Sequence, residues 1–124
     1  MPRRPVAVVI EDQVELSGVL RDVLRHEGFD VVGVDTVAKA HPTLRERTVA
    51  VVVVDLPSDA APDDVSIQSI VEDFPQLGIV VVRDPDDEPP PFFGPWRTEG
   101  SKRILRRPFR LDDLLGAVRD IYPH

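Results

Sequence analysis

The sequence predicts an α/β fold, a doubly wound parallel sheet of five strands in the order 2-1-3-4-5 with helices on both faces. Three observations predict it. Val49-Ala50-Val51-Val52-Val53-Val54 is an unbroken apolar run, rich in β-branched residues, that stops at the carboxylate of Asp55. The lack of polar alternation marks a strand covered on both faces, as in a parallel sheet between helices. Val6-Ala7-Val8-Val9-Ile10 and Gly78-Ile79-Val80-Val81-Val82 have the same character. Stretches with helical spacing lie between these runs, so the order reads β-α-β-α-β-α-β-loop-β-α, which right-handed crossovers close into one sheet.

Taken in order, the first run ends in Glu11 and Asp12. A helix follows in which Leu16, Val19, Leu20, Val23 and Leu24 fall on one face, Gly28 supplies the stop, and Asp12 is placed to cap the start with Glu15 three residues on. Val31 to Val34 makes a short second strand. Thr36 then caps a second helix through Val37, Ala38, Ala40 and Leu44, which Pro42 is expected to shorten, kink or break. After the central strand comes a loop with Pro57 and Pro62, then a third helix through Ile67, Ile70, Val71 and Phe74 that Pro75 ends. The fourth strand closes with Arg83 and Asp84. From Pro85 to Pro95 the prolines leave no room for a helix of ordinary length, so the fourth helix is expected to be shortened or replaced by a proline-rich loop, pinned by Phe92, Phe93 and Trp96. Ile104-Leu105 forms the core of the fifth strand. The last helix shows Leu111, Leu114, Leu115, Val118 and Tyr122 on one face, with Asp112 and Asp113 in its first turn.

The 124 residues suffice for one domain, 1–124, with a core that needs no cross-link, and there is no cysteine for a disulfide or a thiolate metal site. The apolar stretch after the basic start meets Glu11 too soon for a signal peptide, and no segment is long enough to span a bilayer. A cytoplasmic protein that does not act at a membrane is expected. A net charge of −7 argues against nucleic-acid binding. The basic interval Arg97, Lys102, Arg103, Arg106, Arg107 and Arg110 reads as a solvated patch facing the acidic segment 84–88, and His26, His41 and His124 read as solvated side chains.

Ligands bind beyond the carboxyl ends of strands in open α/β sheets, at the switch point between strands one and three. Glu11, Asp12 and Asp55 would converge there. Carboxylates so close repel one another unless a cation intervenes. Magnesium, a hard ion that takes oxygen ligands, suits them. With the charge offset, Asp55 is a credible nucleophile toward a phosphoryl group, and Arg107, before Pro108, is placed to supply a cation.

These residues resemble those of response-regulator receiver domains over essentially the whole chain. Ile10-Glu11-Asp12 is similar to the family's acidic pair, Asp55 to its phosphoacceptor and Arg107-Pro108-Phe109 to its Lys-Pro-Phe turn. The resemblance implies a flavodoxin-like (βα)5 fold and a two-component signalling module that takes phosphate from a histidine kinase. It implies no enzyme beyond gain and loss of a phosphoryl group on Asp55, and homodimers are common on the face that includes the fourth helix. The departures are specific. Arg107 replaces the family's lysine, Arg83 its small hydroxyl residue and Ile104 its aromatic switch residue, and Asp59 and Asp63 stand where Pro and Gly are usual. The leading expectation is a divergent receiver whose phospho-switch is altered or lost and which works as a protein-interaction module, with Arg83 placed to reach Asp55 or Asp12. The competing one is an active, magnesium-dependent phosphoacceptor. A small α/β enzyme of the same topology is a remote third, since no glycine-rich phosphate loop follows the first strand.

Overall fold

Five parallel strands lie in the order β2-β1-β3-β4-β5 in the computed structural model, which describes residues 4–55, 68–84 and 102–122. The strands are β1 (Val6–Ile10), β2 (Asp30–Val34), β3 (Val49–Asp55), β4 (Gly78–Arg83) and β5 (Lys102–Arg106). The helices are α1 (Val14–His26), α2 (Val37–Glu46), the helical residues 68–73 (α3) and α4 (Leu111–Ile121). The predicted topology is the observed one.

Every residue of β1 and of β4 is buried. The alternation of side chains across the sheet sends Val8, Ile10, Val52, Val54, Ile79 and Val81 to one layer, with Ala40 and Leu44 of α2 and Ile70 of α3. Ala7, Val9, Val51, Val53, Val80 and Val82 go to the other, with Leu20 and Leu24 of α1 and Leu114 and Val118 of α4. Full burial of one such side chain is worth about 1.5–3 kcal/mol, so both parities of the run contribute. The edge strands are only half covered, which is why β2 tolerates Asp30 and Gly33 and β5 tolerates Arg103 and Arg106.

Several local expectations change. Alpha-helix α1 starts one residue later than the capping reading requires: its N-cap is Gln13, without a side-chain cap, and Asp12 does not perform that role. Its buried face carries Ser17, Leu20 and Leu24, while Val19 is 48% exposed, because the sheet meets the helix about one position around from the apolar count. Thr36 does cap α2, its Oγ1 accepting from the Lys39 amide at 3.3 Å. Pro42 does not break α2, which continues to Glu46. The carbonyl deprived of a donor belongs to Ala38, and both Ala38 and Pro42 lie on the exposed side, where water can satisfy it. Leu111 and Tyr122 are partly exposed, at 45% and 37%, leaving Leu114 and Val118 as the buried pair of α4. Gly28, with φ of 107°, ends α1 in a conformation that an L side chain resists.

Lys102 is not part of a solvated basic patch. It is buried at the start of β5, and its Nζ donates to the carbonyls of Pro75 at 3.0 Å and Leu77 at 3.3 Å, tying the turn before β4 to the sheet edge. Burial pushes its pKa down. His41 is also half-buried, with Nε2 at 3.8 Å from Asp73 Oδ2 on α3. Among the described residues no helix is long and apolar enough to cross a membrane. The loop around Pro57, Asp59 and Asp63, the residue Ile67, the proline-rich segment with Phe92, Phe93, Trp96 and Arg97, and His124 lie outside the described residues.

Gly78 opens β4 where α4 crosses the sheet. A Cβ there would strike Ile121 Cγ2 and stand 2.8 Å from the carbonyl oxygen of Ala50. Gly78→Ala is therefore expected to destabilise the fold by about 1–3 kcal/mol, read as a lower urea midpoint with an unchanged slope.

Candidate functional site

The strand ends create the site. Beta-strand β1 lies between β2 and β3, with Ile10 opposite Val34 on one side and Val54 on the other, so Glu11 leaves the sheet beside Asp55. Glu11 is only 4% exposed and its amide donates to the carbonyl of Val34 at 3.0 Å. Its Oε1 accepts from the Gln13 amide at 3.0 Å, and its Oε2 is buried with no hydrogen-bond partner among the described residues. Burial first, and then the neighbouring carboxyl of Asp55, push the Glu11 pKa up to about 8 against the pull of the Gln13 amide. Asp12, by contrast, is exposed.

Asp55 ends β3 with its side chain 12% exposed, and its charge partner is Arg107 Nη2. The other arm of that guanidinium, Nη1, donates to Asp84 Oδ1 at 2.9 Å. Arg107 thus spans two carboxylates carried by neighbouring strands. Its side chain is 28% exposed, and although burial opposes its charge, Asp55 and Asp84 outweigh that and raise its pKa. The backbone supports the arrangement: the Arg107 amide donates to the carbonyl of Arg83 at 3.0 Å, and Arg106 Nη1 donates to the carbonyl of Asp84 at 3.0 Å. A cavity of about 490 Å³ opens over these groups, walled by Glu11, Asp12, Asp55, Asp84 and Arg107, with Asp35 and Thr36 on the β2 side.

The structure therefore brings Glu11, Asp12, Asp55 and Arg107 to one cavity. It does not bring Arg83 there. Arg83 has the parity of Ile79 and Val81, which face the α2 layer, whereas Asp55 has that of Val51 and Val53, which face α1 and α4. Arg83 is buried and does not wall the cavity; the charge partner of Asp55 is Arg107 instead. Ile104 lies opposite Val81 and packs, partly buried, against that same α2 layer. Pro57 lies outside the described residues. The residue that sequence reasoning missed is Asp84. Its signal was parity: Val80, Val82 and Asp84 alternate onto the face that carries Asp55.

As for a cation, the buried Oε2 of Glu11 close to Asp55, without a hydrogen-bond partner among the described residues, is a hard oxygen donor that suits magnesium, which needs only one or two protein carboxylates beside its waters. The three acids wall one cavity without closing around one point: among the described residues no group of three or more is spaced to hold a metal ion.

The raised pKa of Glu11 has a sign in stability. Its ordinary value is 4.5 and its folded value about 8, so between them the folded state binds the extra proton and stability falls as pH rises. With a chelator present, the unfolding free energy from urea titration is expected to drop between about pH 5.5 and about pH 8.5 by roughly 1–4 kcal/mol for this group. Glu11→Gln should flatten that drop; an unchanged slope with pH in the variant would remove Glu11 as its source.

No protein-family model matches the chain, and neither does any curated protein. Solved structures do. A response regulator from Thermotoga maritima superposes with a TM-score of 0.76 at 23% identity, covering 98% of this chain and 100% of that one. A response regulator receiver protein from Sinorhizobium medicae gives 0.76 at 22% identity, over 96% of this chain and 94% of the other. An uncharacterised protein from Neptuniibacter caesariensis gives 0.80 at 15% identity, over 94% and 86%. At these identities the likeness is one of backbone and topology, and on that basis the fold of this chain is that of the response-regulator receiver domain.

Proposed function

We propose that residues 1–124 form a divergent receiver domain of two-component signalling that acts chiefly as a protein-interaction module with an altered phospho-switch. The observation that carries this reading is the Asp55–Arg107–Asp84 bridge, which neutralises the central acid from within the chain. Supporting it are the residues at the two positions through which the family reads a phosphoryl group. Arg83 has the strand parity of the opposite layer, and Ile104 is an aliphatic side chain packed against the α2 layer, without the ring that swaps between exposed and buried rotamers. The partner is a histidine kinase or another signalling protein, a second copy of the chain being a further candidate. The setting is the cytoplasm, away from nucleic acid and membrane. The domain is no enzyme beyond gaining and losing a phosphoryl group.

A second reading, an active phosphoacceptor, is favoured by one observation, the buried carboxyl of Glu11 beside Asp55, its Oε2 without a hydrogen-bond partner among the described residues. Glu11 and Asp55 would hold magnesium, with Asp12 at the rim and the Pro57 carbonyl as a further oxygen. The ion would offset the charge that gathers when a phosphoryl group meets a carboxylate. Asp55 would then attack phosphorus as its bond to the donor breaks, the histidine nitrogen of a kinase or the acetate of acetyl phosphate leaving, and Arg107 would hold a phosphoryl oxygen through its planar fork.

Incubation with acetyl phosphate and magnesium separates the two. The altered-switch reading expects the Ile104 methyl resonances and the amides of β5 and α4 to stay in place, whether or not mass spectrometry shows a phosphoryl group on Asp55. Shifts at Ile104 and along α4 that vanish in Asp55→Asn would establish an active switch instead.

A further inference from the structure

Asp84 has no part in the chemistry assigned to Asp55, yet it is the residue on which Arg107 is hung. Its carboxylate takes Nη1 of Arg107 at 2.9 Å while Nη2 of the same guanidinium goes to Asp55. Its carbonyl takes Nη1 of Arg106 at 3.0 Å, and the carbonyl just before it takes the Arg107 amide at 3.0 Å. Backbone and side chain at the end of β4 thus grip the same two arginines. A long, partly solvated arginine held at one point keeps much of its rotamer freedom. Held by two carboxylates on two strands, it has its plane fixed.

We propose that Asp84 is a positioning residue that holds the Arg107 guanidinium against Asp55, so that the end of β4 sets how far the charge of Asp55 is neutralised. The inference deepens the reading of Asp55 and Arg107 as the functional pair and rests on it. It also explains why an arginine serves at position 107: its fork reaches both carboxylates in parallel, whereas an ammonium group is a single point charge.

The sign of a magnesium titration distinguishes positioning from plain charge. If Asp84 merely added negative charge to the cavity, Asp84→Ala would weaken magnesium binding. If it acts through Arg107, its loss frees a cation from direct competition for the Asp55 carboxylate, and binding tightens by roughly three- to tenfold. Arg107→Ala should tighten it similarly, and the double variant should bind no tighter than Arg107→Ala alone. Arginine side-chain resonances provide a readout that needs no metal. The Nη protons of Arg107, assigned by their loss in Arg107→Ala, should be resolved in the wild type, averaged in Asp84→Ala and retained in Asp84→Asn, which keeps a neutral acceptor in place.

Resolved Arg107 resonances in Asp84→Ala, or weaker magnesium binding in that variant, would overturn the proposal. If neither the wild type nor any variant binds magnesium, the metal reading of the site fails, and the resonances alone then decide the role of Asp84.

Discussion

The constraint on which everything else depends is that β1, β3 and β4 are covered on both faces. A central strand in that position has no solvent side on which to place a polar residue, so each stays apolar until it emerges from the sheet. The first polar residues after β1 and at the end of β3 are acids, and the pairing of Ile10 with Val54 brings them out side by side. The acidic cavity thus follows from the same burial that stabilises the fold. Hydrophobic registration across the sheet positions Glu11 and Asp55 without any contact designed for that purpose.

Placing two acids at one exit leaves an electrostatic problem, and this chain answers it twice. Glu11 responds by holding its proton to about pH 8, burial being the main cause. Asp55 responds by taking one arm of Arg107, whose other arm goes to Asp84. The two responses differ in kind. Protonation removes a charge and varies with pH, whereas the guanidinium stays charged throughout and depends on geometry. A cation entering the cavity would have to displace both.

Likeness to receiver structures at 22–23% identity shows how little of a sequence such a fold requires. What is kept is the pattern of buried runs, crossovers and strand ends. What differs lies at the exit of β4 and within β5, where Arg83 and Ile104 replace the residues expected and Asp84 joins the charge network. Arg83 and Asp84 stand where β4 leaves the sheet, whereas Ile104 lies within β5 and packs against the α2 layer, so the change there keeps an apolar side chain in the core.

The sequence by itself determined the strands, their order and the convergence of Glu11, Asp12 and Asp55 on one cavity with Arg107, because continuous apolar runs and their spacing are local properties that survive into the fold. It read Thr36 as a cap correctly for the same reason. Other features were decided only by tertiary structure. Whether Val19 or Ser17 faces the sheet depends on how α1 lies against it, and whether Pro42 interrupts α2 depends on the carbonyl it orphans facing solvent. Burial of Lys102 came from carbonyls 25 and 27 residues away in sequence. Most consequential was the partner of Asp55. Sequence spacing placed Arg107 to supply a cation and Arg83 to reach Asp55 or Asp12; in the fold Arg107 bridges Asp55 and Asp84, while Arg83 has the strand parity of the other layer and does not wall the cavity.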